Sequence, residues 1–168
     1  MPIIIRFDHA DEIIAHFAAL VTPTLDPLLS IKYAGFVAVA AVTVYEMAIK
    51  DIFMDFATKK HPVLGSITRE TFDRINGRVK YKVIKEEYVP LFGNKYSTKF
   101  AKKIQQRSSE FLRLNRRDII SSYNNIVVWR NEFAHAGRVP VTATFQEVVR
   151  SYEDGKEVIK CLNSTMVR

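Results

Sequence analysis

The chain has 168 residues, 48% of them hydrophobic and 26% charged, which suits one domain burying its own core and excludes a disordered chain. A single cysteine, Cys161, excludes an internal disulfide and fits a reducing compartment such as the cytoplasm; beside Ile159 and Leu162 it reads as a small core residue. The net charge of +7 is uneven, with 3 basic and 7 acidic residues in 1–58, 16 and 5 in 59–117, and 6 and 6 in 118–168.

In chain order, the start MPIIIRFDHADE lacks the long apolar region of a signal peptide. Asp8 is predicted to cap a helix to about Val21, ended by Thr22, Pro23, Asp26 and Pro27. A long helix follows from about Leu28 to Thr58, with Ala34, Gly35, Ala38 and Ala41 allowing close backbone approach. Its run YAGFVAVAAVTVYEMAI is the one membrane-like stretch, but Glu46 interrupts it, so it reads as a buried core helix without a membrane partner. His61-Pro62 and Gly65-Ser66 break the chain, and Ser66 or Thr68 starts a short helix through Ile75.

Residues 78–92 fit two patterns: RVKYKVI alternates as a strand would, while VIKEEYVPLF looks helical until Pro90, and helix is the expectation. From Tyr96 a helix presents Tyr96, Phe100, Ile104, Phe111 and Leu114 inward and Lys99, Lys102, Lys103 and Arg107 outward. A helix from Asp118 carries Ile119, Tyr123, Ile126 and Val127 and ends at Gly137 and Pro140. Thr144 and Glu147 form a capping box for the last helix, to about Met166. The whole, residues 1–168, reads as a single all-α domain of five to seven helices, with no repeat or linker.

WRNEFAHAG, residues 129–137, is more polar than a helix end requires. The stripe of Ile119, Tyr123 and Ile126 next reaches Arg130, a costly inward residue unless it is paired or faces a cavity. Asn131 and His135 stand four apart on an adjoining face. An arginine binds a phosphate bidentately and stabilises added negative charge, and a histidine moves protons near neutral pH. Asn131 can fix the imidazole or donate to a phosphate oxygen. Together they suit metal-free RNA cleavage, with a symmetric dimer supplying two histidines. His9 and His16 lack a third ligand, so no metal site is expected, nor any cofactor.

An arginine followed by histidine at this spacing is common by chance. The combination is not: Arg-Asn together, Ala before the His, Gly two after it, late in an amphipathic helix of an all-α domain. It resembles the HEPN superfamily signature, here RNEFAH from Arg130 to His135, and among bacterial HEPN domains the RiboL-PSP type of phage-defence and toxin loci. The resemblance implies a helical bundle that dimerises around the motif helix. It also implies a metal-independent endoribonuclease leaving 2′,3′-cyclic phosphate and 5′-hydroxyl ends, and in many relatives a toxin role with an antitoxin or regulatory protein as partner. Some HEPN toxins carry a tyrosine two residues after the histidine that a partner modifies; Gly137 stands there instead.

Some HEPN enzymes also bring an acidic residue of an earlier helix to the motif, which makes Glu46 either such a residue, orienting Arg130 or His135, or half of a structural ion pair. The expected catalytic set is Arg130, His135, Asn131 and Glu46. Lys99, Lys102, Lys103, Arg107, Arg116, Arg117 and Arg138 are expected to bind RNA. The competing reading is a non-catalytic helical module binding RNA, a nucleotide or a protein.

Overall fold

Helical periodicity along nearly the whole chain becomes helix in the computed structural model, which describes residues 5, 7–139 and 143–167 and has no strand among them. The elements are α1 (Asp8–Leu20), α2 (Pro27–Lys60), α3 (Pro62–Phe72), a one-turn α4 (Tyr81–Val83), α5 (Asn94–Asn115), α6 (Ile119–Ala136) and α7 (Phe145–Thr165). Beyond α4 the chain continues helically as a π turn, Ile84–Tyr88, and a 3-10 turn, Val89–Phe92.

Local signals set most helix ends. Asp26 accepts from the Leu28 amide at 2.9 Å at the start of α2. Thr144 accepts from the Glu147 amide at 3.2 Å at the start of α7. Asp118 accepts from the Ser121 amide at 3.0 Å, and Gly137, at φ +66, closes α6 with its N–H on the Phe133 carbonyl at 2.8 Å. Pro140 lies outside the described residues.

Two expectations are corrected. Asp8 is not a cap: Phe7 precedes α1 without a side-chain bond, and Asp8 and Asp11 instead face the positive end of the helix dipole from its first turn. His61-Pro62 does break the chain, ending α2 at Lys60, but α3 starts there and not at Ser66 or Thr68, and Gly65-Ser66 lies inside it: His61 Nδ1 accepts from the Val63 amide at 3.2 Å and Pro62 takes a first-turn place that needs no N–H. Of the two patterns for 78–92 the helical one holds over 81–92, and RVKYKVI is divided between a loop and the start of that segment.

α2 is the central element, packed by α1, α3, α6 and α7. Ala34, Gly35, Ala38 and Ala41 are all buried, and Phe133 of α6 lies so close to Gly35 that a Cβ there would overlap its ring. Among the described residues α2 alone is long and apolar enough to span a membrane, and half of that apolar window is buried inside the bundle.

Tyr45 of α2 stacks between Tyr123 of α6 and Tyr152 of α7, with ring centroids 4.9 and 5.7 Å away. Such pairs add about 0.5–1.5 kcal/mol beyond the area they bury. Their hydroxyls find acceptors on the Tyr152 carbonyl, the Val79 carbonyl and the Asp11 carboxylate respectively. This column holds α2 and α6 in fixed register, and those two helices carry the site.

Candidate active site

One turn of α2 faces the last turns of α6 across the loop between α3 and α4. Glu46, Asn76, Gly77, Arg130 and Ala134 line a pocket of about 320 Å³ between them. Glu46 is partly shielded, with its side chain 22% exposed, and each oxygen has a partner. Oε1 pairs with Lys50 at 2.9 Å and Oε2 accepts from the Gly77 amide at 2.7 Å. Arg130 is half-buried, and Nη2 donates to the Gly77 carbonyl over a long 3.4 Å.

The loop is tied down on several sides. The buried Tyr123 hydroxyl donates to the Val79 carbonyl at 2.7 Å, and the Tyr88 hydroxyl to the Arg78 carbonyl at 2.8 Å. Asn124 accepts from the Tyr81 amide at 3.2 Å, and Lys50 reaches the Asp73 carbonyl at 3.4 Å. Asn76 and Gly77 take positive φ, +39° and +80°, to make the turn.

The structure therefore brings Arg130 and Glu46 to one pocket. Asn131, half-buried, and His135, exposed, lie on the neighbouring outward face, and no hydrogen bond joins them to each other or to Arg130. The cause is the helix itself: five residues separate Arg130 and His135 by about 140°. Arg130 turns toward the loop, away from His135.

The cations assigned to RNA divide in two. Lys99 donates to the Thr165 carbonyl at 2.9 Å, and Lys103 to Ser164 Oγ at 3.0 Å, so both hold the end of α7. Burial, with Lys103 and Lys95 nearby, holds the Lys99 ammonium below its ordinary pKa. Arg107 pairs with Glu157 at 2.7 Å and Glu110 at 3.0 Å, and Arg117 grips the buried Asp154 with two bonds, at 2.6 and 2.8 Å. Lys102, Arg116 and Arg138 are exposed, with no partner among the described residues.

Sequence reasoning passed over the pocket's floor and a second basic run. Asn76-Gly77 is a turn signal in its own right. Residues 74–85 hold five basic and no acidic side chains, of which Arg74, Lys80 and Lys85 are exposed without a partner among the described residues. Among those residues no three His, Cys, Asp or Glu side chains stand together as a metal site would need.

No curated protein and no solved structure matches the chain significantly. The family model RiboL-PSP-HEPN matches residues 6–168. With that match over nearly its full length, and the Arg130–His135 segment at the end of α6 in an all-α bundle, the chain belongs to the RiboL-PSP-HEPN family.

Proposed function

We propose that this protein is a metal-independent endoribonuclease of the toxin or phage-defence kind, acting in the cytoplasm. The observation that carries this reading is the Arg130–Glu46 pocket at the end of α6, one turn from the exposed His135. Arg130 binds the scissile phosphate and stabilises the charge that builds on its oxygens. A ribose 2′-hydroxyl attacks the phosphorus, the bond to the 5′-oxygen breaks, and the ends are a 2′,3′-cyclic phosphate and a 5′-hydroxyl. One proton leaves the 2′-oxygen and another reaches the departing 5′-oxygen; His135 suits either transfer. Asn131 positions the imidazole or a phosphate oxygen once substrate is bound.

One histidine per chain supplies one of the two proton roles, so the second comes from a second copy. Phe36, Thr43 and Met47 are exposed along one face of α2, and Thr43 also reaches the pocket neighbourhood. Phe36 and Met47, 49% and 55% exposed, are large apolar residues that a second copy of this chain would cover. A homodimer through this face sets two pockets side by side. Lys102, Arg116 and Arg138, with Arg74, Lys80 and Lys85, guide the RNA. A cognate antitoxin or regulatory protein restrains the activity in the cell.

A second reading rests on the pairing of Glu46 with Lys50 and the outward position of His135: a non-catalytic module that binds RNA through the same surface. Substitution separates the two. Arg130→Ala and His135→Ala each reduce RNA cleavage by at least about a hundredfold, equivalent to about 2.7 kcal/mol of barrier, while EDTA leaves it unchanged. Salt-sensitive RNA binding without any cleavage by the native protein supports the second reading instead.

A further inference from the structure

Glu46 and Arg130 carry opposite charges and line one pocket, yet no ion pair joins them. The backbone of Gly77 stands between, its N–H donating to Glu46 and its carbonyl accepting from Arg130. A direct carboxylate–guanidinium fork would occupy two donors and offset the cation. Here the Glu46 charge is met by the Gly77 amide and Lys50. Arg130 spends a single long bond on the loop, and the rest of its donors have no partner among the described residues.

Glycine suits this position, and any side chain there would displace the flexible guanidinium end of Arg130 rather than rigid backbone. The Gly77 φ of +80° disfavours a β-carbon, and a Cβ there would overlap Arg130 Nη2 and stand 2.9 Å from Cζ. The backbone cannot drift away either, because Tyr123 and Tyr88 hold the next two carbonyls along the loop.

We infer that Gly77 is a positioning residue for the site: its backbone N–H and carbonyl keep Glu46 and Arg130 from pairing with each other and leave the guanidinium open to a phosphodiester of the RNA backbone. This rests on the ribonuclease reading. The loop is a spacer of fixed length between two helices, and the tyrosines that hold it make the spacing rigid.

The test compares Gly77→Ala with Gly77→Asn, since asparagine tolerates the left-handed backbone but still carries the Cβ that displaces Arg130. Both variants are assayed with Arg130→Ala on one single-stranded RNA oligonucleotide. The expected result is a kcat lowered at least about tenfold in both Gly77 variants, with KM moved less than about threefold. The melting temperature lost to Gly77→Ala also shrinks when Arg130 is truncated to Ala, because the overlap is gone. Wild-type kcat in folded Gly77 variants, with Arg130→Ala inactive, overturns the positioning role and leaves the ribonuclease reading standing. Wild-type cleavage by Arg130→Ala overturns that reading and this one with it. Should neither Gly77 variant fold, Tyr88→Phe releases the Arg78 carbonyl alone: a lowered kcat at unchanged melting temperature supports the spacer, and an unchanged kcat overturns it.

Discussion

Arg130 continues the stripe of Ile119, Tyr123 and Ile126, all fully buried, where a further apolar side chain would pack without cost. Its half-burial beside a pocket follows from that stripe position, so a cavity next to Arg130 was legible in the sequence. Gly77 was not, because nothing about Asn-Gly in a sequence says which charged side chains will meet it. Other buried groups tell against reactivity. Burial pushes the Cys161 thiol up to about 11, despite the nearby Arg107 and Lys103, so almost none is thiolate at neutral pH. Folded protein is therefore expected to resist alkylation near pH 7.5 and to react fully only in denaturant, as mass spectrometry would show. Burial likewise raises Tyr45, Tyr123 and Tyr152 above their ordinary value of 10.0. Groups raised on folding stabilise below their unfolded pKa and lose that stability as pH rises through the folded one. Stability is accordingly expected to fall from about pH 9 upward, seen as a decreasing urea midpoint.

α6 is the element on which the site depends, and its two ends were readable for different reasons. Asp118 and Gly137 act on neighbours in sequence, so their roles follow from local chemistry. Burial pushes the Asp118 carboxyl up, but hydrogen bonds from Ser121, Ser108 and the Ser121 and Ile120 amides outweigh it and hold the pKa below its ordinary 3.8. That contribution is present above about pH 4 and is lost as pH falls through the lower folded value. Asp118→Ala is expected to cost about 1–2 kcal/mol at neutral pH, and to flatten the acid side of the stability curve, measured by urea unfolding. The outward face of α5 was legible as basic but not as engaged: Lys99, Lys103 and Arg107 find partners on α7, which tertiary packing alone decides. The turns between 81 and 92 were likewise beyond local propensity, since their π and 3-10 geometry accompanies the packing of Tyr88 and Phe92 against Phe72 and Phe53.

Across the whole molecule, one long central helix does two jobs. Its inner face is the core, through small residues that admit α6 closely. Its outer face leaves Phe36 and Met47 about half exposed, on the helix whose Thr43 and Glu46 line the pocket. Met47→Glu places a charge in the proposed dimer face without touching the core. It is expected to yield a folded monomer with at least about tenfold lower cleavage, the mass being read by light scattering. A dimer of unchanged activity would place the second histidine elsewhere.

The most direct measurement of the central claim is the chemistry of the cut ends. Purified protein is incubated with a single-stranded RNA in EDTA, alongside Arg130→Ala and His135→Ala. Products ending in 2′,3′-cyclic phosphate and 5′-hydroxyl, absent with either variant, are the predicted result. Intact RNA with the native protein, 3′-hydroxyl ends, or cleavage that survives both substitutions would contradict it.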